Sequence, residues 1–149
     1  SNCSIGNTII DPFCGTGGIL IEIANMKIKA IGIDILNKMA EYSKGNLKHY
    51  NLEAKLIKGD IENIDNYNFD SIVTDPPYGI STTTKGEGVG KLMDRSLKLF
   101  AKNLKSKQRV VMAVSNPKLI QNNSLTIIHQ FEWYIHKSLT RYILVMEKN

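Results

Sequence analysis

An acid, two prolines and an aromatic stand side by side at Asp75, Pro76, Pro77 and Tyr78, with Gly79 behind them. The residues before them, Phe69-Asp70-Ser71-Ile72-Val73-Thr74, form a short apolar run that reads as a buried strand. Open α/β sheets bind ligands at the carboxyl ends of their strands, so this string falls where chemistry is done. The prolines lack an N–H and have a fixed φ, which stiffens the turn and leaves its carbonyls to accept hydrogen bonds. An ionised Asp75 only accepts. Tyr78 offers a flat face on which a base can stack, a contact worth roughly 1–3 kcal/mol. The group suits a planar ring with an exocyclic amino group, its two N–H bonds taken by Asp75 and the Pro76 carbonyl while Tyr78 stacks on the ring. A plain tight turn would explain Pro-Pro, but not the acid before it and the aromatic after it.

A second constellation lies near the start. Thr8-Ile9-Ile10-Asp11 reads as a buried strand, Pro12-Phe13-Cys14-Gly15-Thr16-Gly17-Gly18 as a turn, and Ile19 to Met26 as a helix. Strand, glycine-rich turn and helix is the nucleotide-binding arrangement of Rossmann-like folds. The dinucleotide fingerprint fails, because its third glycine falls on Leu20, and no Gly-Lys-Ser/Thr follows to make a P-loop. Asp11 before the turn would repel a pyrophosphate and attract an ammonium or hydroxyl groups. S-adenosylmethionine has no phosphate and carries an ammonium and a sulfonium, so it fits where a dinucleotide does not. Asp34 closes the next apolar run, Lys29-Ala30-Ile31-Gly32-Ile33-Asp34, about where an acid binds ribose hydroxyls in such folds. It could also be only a helix cap. After a third strand over Glu53 to Lys58 come Gly59-Asp60-Ile61. There Asp60 can accept from an adenine amino group while Ile61 packs on the ring.

The elements that must hold these residues alternate along the chain. Leu36 to Tyr50 is an amphipathic helix interrupted by Gly45, and Asp65 to Asn68 is a polar turn before the fourth strand. Ile80 to Gly90, rich in Ser, Thr and Gly, is a loop placed to act as a lid. Lys91 to Leu104 has one apolar helical face, Arg109 to Val114 is a fifth strand, and Asn116-Pro117 starts a short helix or turn. Leu125 to Ile135 and Leu139 to Met146 are separated only by His136-Lys137-Ser138 and must pair antiparallel, because a parallel pair needs a crossover of a dozen or more residues. The expectation is an α/β fold of Rossmann-like type, with a seven-stranded, mostly parallel sheet, a terminal antiparallel hairpin and helices on both faces.

The 149 residues suit one domain. No apolar stretch approaches the roughly 20 residues of a membrane span. Cys3 and Cys14 are the only cysteines, and neither has the spacing of a zinc site or disulfide framework, so a cytoplasmic setting is expected and no metal. A net charge of +5 leans toward an anionic partner such as nucleic acid. His129 and His136 lack companions that would make them ligands and are read as structural. No complete element precedes the first strand, so the chain is expected to be part of a longer one.

Taken together, DPFCGTGG from Asp11, Asp34, Asp60 and DPPYG from Asp75 resemble the class I S-adenosylmethionine-dependent methyltransferases that act on amino nitrogens. More narrowly, DPFCGTGGILIEIA, DPPYG with its Ser/Thr/Gly loop, and HKSLTRYILVMEK at the end resemble the catalytic domain of THUMP-containing tRNA guanine-N2 methyltransferases, which modify the guanosine at the tenth tRNA position. The resemblance implies that Asp11, Gly15 and Gly17 line the methionine end of the cofactor, with Phe13, Cys14 and Thr16 of the same turn among its contacts. It implies Asp34 with Ile35 at the ribose, Asp60 with Ile61 at the adenine, and Asp75, Pro76, Pro77 and Tyr78 as the catalytic turn. It further implies S-adenosyl-L-homocysteine as product, a tRNA substrate gripped partly by an amino-terminal THUMP region that this chain lacks, and in some members a small activating protein subunit. Family members also carry a helix before the first strand.

On this reading the guanine N2 nitrogen displaces the sulfonium methyl directly. Its lone pair is delocalised into the ring, and hydrogen bonds to Asp75 and Pro76 would draw it toward sp3 geometry and stabilise the developing positive charge. Alignment supplies the rest, and the base must leave its stack to reach the site. Two readings stay open beside it: an adenine-N6 DNA or rRNA amino-group methyltransferase, which D-P-P-Y would serve equally well, and a cofactor-binding fragment without turnover. A nicotinamide-dependent dehydrogenase is disfavoured by Leu20 and Asp11.

Overall fold

The computed structural model describes residues 1–77, 88–120, 124–137 and 139–149. Apolar residues alternate along the short β1 (Thr8–Asp11), so that Ile9 and Ile10 enter two different cores on opposite faces of one sheet. That split organises the molecule. Parallel neighbours β2 (Lys29–Asp34) and β4 (Ser71–Thr74) flank β1, with β3 (Lys55–Lys58) outside β2 and β5 (Arg109–Val114) outside β4. The terminal strands β6 (Leu125–His136) and β7 (Leu139–Lys148) pair antiparallel, and β7 docks antiparallel on β5. The sheet of seven strands has the order β3-β2-β1-β4-β5-β7-β6, with the hairpin at its edge as expected.

Helices α1 (Gly18–Asn25) and α2 (Asn37–His49) cover the Ile9 face, burying Leu20, Ile23 and Leu47 with Ile28 and Ala30. Helix α3 (Val89–Asn103) covers the other face with Met93, Leu97 and Phe100, packed on Ile10, Ile33, Ile72 and Val110. The periodicity of α3 is the clearest in the chain, because Leu92, Met93, Ser96, Leu97 and Phe100 are its buried residues. Ser96 tolerates burial by donating to the Leu92 carbonyl at 2.7 Å.

Three local expectations need correction. Helix α2 runs through Gly45 without interruption, because a Cβ there would meet open space and the anchors Ser43 and Leu47 on either side are buried. The cost of roughly 1 kcal/mol for a helical glycine is outweighed by that burial. The polar run before β4 is not a turn over Asp65 to Asn68. A 3-10 helix spans Ile61–Asn66, capped by the Asp60 side chain and held by the buried Ile61 and Ile64. Strand β4 begins at Ser71, not Phe69, since Asp70 is diverted to Thr8: its backbone N–H donates to the Thr8 carbonyl and its carboxylate accepts from the Thr8 amide at 2.7 Å. Tyr78 and residues 80–87 of the proposed lid lie outside the described residues, while the end of that loop is corrected: Val89 and Gly90 already belong to α3.

Candidate active site

The strand order reverses between β1 and β4, which is where an open α/β sheet leaves a crevice at its carboxyl edge. Each of the first four strands delivers an aspartate to that edge. β1 ends in Asp11 and β2 in Asp34, Asp60 follows β3, and Asp75 follows β4. Among the described residues these acids do not gather with others into a cluster able to hold a metal ion.

Asp11 is buried, 1% exposed, beside the reversal. Its Oδ1 accepts from the Thr74 hydroxyl at 2.7 Å and from the Phe13 amide at 3.1 Å, which stitches β1 to β4 and starts the glycine turn. Burial pushes its carboxyl up to about 7, against the pull of those two donors and with help from the nearby charges of Asp75 and Asp34. The group is thus poised to ionise when a cation arrives.

The turn itself is held from three sides. Cys14 donates its backbone N–H to the Ile33 carbonyl at 3.0 Å, and Gly15 donates to Asp34 Oδ2 at the same distance. From α2, the Ser43 hydroxyl donates to the Gly15 carbonyl at 3.1 Å and Asn46 Nδ2 to the Thr16 carbonyl at 2.9 Å. Gly15 (φ 50) and Gly17 (φ 86) occupy left-handed backbone for different ends. A Cβ on Gly15 would meet nothing within 4 Å, leaving its backbone open to a ligand, whereas one on Gly17 would lie 2.5 Å from Ser43 Oγ. Cys14 is core, with its Sγ 2.9 Å from where a Gly32 Cβ would stand, and burial pushes its thiol up to about 12. Thr16 is exposed and Phe13 packs partly against the α3-side core.

Asp34 accepts from Gly15 N–H on Oδ2 and from Leu36 N–H at 2.8 Å on Oδ1, so it caps the following segment and braces the turn at once. Each oxygen keeps a second lone pair for a hydroxyl. Ile35 beside it is half-buried. Asp60 is gripped by Arg95 of α3, whose Nη1 meets Oδ1 at 2.5 Å and Nη2 meets Oδ2 at 3.2 Å. Its Oδ1 also accepts from the Glu62 amide at 3.2 Å. Ile61 turns into the core at 3% exposure. Pro76 is buried, Pro77 half-buried, and Asp75 Oδ2 accepts from Arg141 Nη1 of β7 at 3.2 Å.

Arg95, Arg141, Ser43 and Asn46 are the site residues that reasoning from the sequence missed. The only trace of them was spacing: Ser43 and Asn46 lie one helical turn apart on α2, and Arg141 sits inside the terminal HKSLTRYILVMEK string.

A ligand at this edge faces carboxylates, an open glycine backbone and a stiff proline turn. That donor set opposes a phosphate and fits hydroxyls, an amine and a sulfonium, as in S-adenosylmethionine. Comparison with known proteins agrees with the architecture. The chain has a TM-score of 0.86 to the crystal structure of TrmN from Thermus thermophilus, at 20% identity, covering 99% of this chain and 46% of that one. It has a TM-score of 0.76 to SMU.1697c, a putative methyltransferase from Streptococcus mutans solved with SAH, at 13% identity. In sequence it is 39% identical over 155 residues to a tRNA (guanine(10)-N2)-dimethyltransferase of Methanothermobacter thermautotrophicus and 38% identical over 153 residues to one of Methanocaldococcus jannaschii. It covers 99% and 96% of itself in these matches but spans 46% and 41% of those proteins, less than half their length. A family-wide profile described as RMKL-like, methyltransferase domain, matches residues 1–137. Fold, edge chemistry and sequence converge, and the chain belongs to the RMKL-like methyltransferase family.

Proposed function

We propose that this chain is the catalytic domain of an enzyme that methylates the exocyclic N2 amino group of a guanosine in tRNA, with S-adenosylmethionine as donor. The observation that carries it is the placement of Asp75-Pro76-Pro77 at the end of β4, beside the strand-order reversal and next to the buried Asp11. The names of the relatives, tRNA (guanine(10)-N2)-dimethyltransferases at 37–42% identity, one of them given as probable, support the choice of nucleoside.

Bound S-adenosylmethionine would supply an electrophilic methyl on sulfur. The chain's residues do the rest. Asp11 answers the ammonium of the methionine end, Asp34 with Ile35 the ribose, and Asp60 the adenine amino group while Arg95 fixes its plane. In the turn, the Asp75 carboxylate and the Pro76 carbonyl accept from the target amino group. Two acceptors pull its N–H bonds out of the plane of the base, restore the nitrogen lone pair and stabilise charge as it develops there. The prolines hold both acceptors in place before substrate arrives, so little reorganisation is needed. Tyr78, next in the sequence, would serve as the stacking surface for a base drawn out of its helix.

The same reading includes a tRNA-gripping region of THUMP type outside this chain, a possible small activating subunit, and action in the cytoplasm. No described helix is long and apolar enough to cross a membrane.

The test is methyl transfer by the full-length protein to two unmodified tRNA transcripts, one with guanosine and one with adenosine at the tenth position, followed by nucleoside analysis. N2-methylated guanosine from the first transcript alone is expected, and the analysis separates one methyl from two. Methyladenosine, or equal labelling of both transcripts, overturns the substrate assignment.

A further inference from the structure

The contact between Arg141 and Asp75 joins strands that are not neighbours. β5 lies between β4 and β7 in the sheet, yet Arg141 Nη1 reaches Asp75 Oδ2 at 3.2 Å. It can do so because the last β5–β7 pair is Val114 with Tyr142, which leaves Arg141 just beyond the end of β5. The side chains are 26% and 37% exposed, so the pair is partly shielded from water. Guanidinium is charged at every working pH and makes charge-assisted hydrogen bonds stronger than neutral ones. Asp75 also stands in a field of like charge, lying close enough to Asp11 for its carboxylate to help raise the Asp11 pKa.

Resting on the amino-methylation reading above, we propose that Arg141 is a positioning residue. It holds the Asp75 carboxylate by one oxygen, so that the group's remaining acceptor capacity is aimed at the target amino nitrogen, and it offsets part of the negative charge that Asp11, Asp34 and Asp75 bring to the edge. A carboxylate turns about its last torsion between broad minima, and anchoring one oxygen leaves one orientation. In this way the terminal hairpin takes part in the chemistry of the opening turn, which connectivity alone would place at opposite ends of the chain.

The experiment is a double-mutant cycle on the full-length protein with Arg141→Ala, Asp75→Asn and the pair, measured as single-turnover methyl transfer with bound S-adenosylmethionine. Arg141→Ala is expected to slow transfer roughly 10- to 100-fold, with KM for tRNA and cofactor affinity within about threefold. Arg141→Lys should recover part of the rate. In the Asp75→Asn background the arginine change should add no further loss, because residues that act through one another are not additive. Full additivity, or a loss confined to KM or to Tm, overturns the proposal. The cycle follows whichever nucleoside the wild type methylates, so a product other than N2-methylguanosine would sink the substrate reading and still decide the role of Arg141. Should the wild type transfer to no RNA, the crystal structure of Arg141→Ala decides: an Asp75 carboxylate turned from its wild-type direction supports the role, and an unmoved one overturns it.

Discussion

Asp11 shows most plainly how a single buried residue ties stability to pH. Its carboxyl sits at about 7 in the folded chain against 3.8 in an unfolded one. Folded protein therefore binds the proton more tightly than unfolded protein between those values. The stabilising contribution is complete below about pH 4 and is lost as the pH rises through about 7. Asp11→Asn mimics the protonated form and does not titrate. Its stability relative to wild type should therefore climb between pH 4 and pH 8 by an amount on the order of 4 kcal/mol, read from urea melts along that range. A flat difference would show that Asp11 is ionised in the folded state without a ligand. Gly17 makes a separate prediction: a Cβ there strains a φ of 86 and meets Ser43 Oγ at 2.5 Å. Gly17→Ala should cost about 1–3 kcal/mol, seen as a lower Tm, while Gly15→Ala, whose Cβ would meet open space, should bear mainly the backbone cost of left-handed φ.

At the scale of elements, α3 is both a wall of the core and a clamp on the site. Phe100 is fully buried among β-strand residues, and Phe100→Ala should destabilise by about 3–5 kcal/mol. Arg95, five residues earlier in the same helix, is 29% exposed in its pair with Asp60. Arg95→Ala should therefore move stability little, about 0–1 kcal/mol, yet, on the proposed reading, weaken S-adenosylmethionine binding severalfold by freeing the acid assigned to the adenine. Titration calorimetry beside a thermal melt separates the two, and unchanged cofactor affinity would remove Asp60 from the adenine pocket. The strands β1, β2 and β5 and the helix α3 were legible in the sequence because local periodicity and burial agree there. The 3-10 helix after Asp60 was not, since only tertiary burial of Ile61 and Ile64 turns that polar stretch inward. The same limit applied to the site. Asp11, Asp34, Asp60 and Asp75 could be found because each ends or follows its own strand. The partners Arg95 and Arg141 could not, because what brings them to Asp60 and Asp75 is the packing of α3 and the reach of the hairpin past the end of β5. Ile61, expected against a ring, is 3% exposed on the 3-10 helix and packs with the α3-side core.

For the molecule as a whole, sheet order does what no single motif does. Reversal between β1 and β4 sets the buried Asp11 beside the Asp75-Pro76-Pro77 turn, and four parallel strands bring their aspartates to one edge. The family, with its methyltransferase domain, supplies the reaction class. The central proposal is that the Asp75 turn performs the transfer. The most direct measurement is the single-turnover rate of Asp75→Ala in the full-length protein on guanosine-10 tRNA, with S-adenosylmethionine affinity measured on the same sample. Transfer slowed more than roughly 100-fold, with cofactor affinity within a few-fold of wild type, is the predicted result. Wild-type transfer by Asp75→Ala would contradict the account, since the amino group would then have been activated elsewhere.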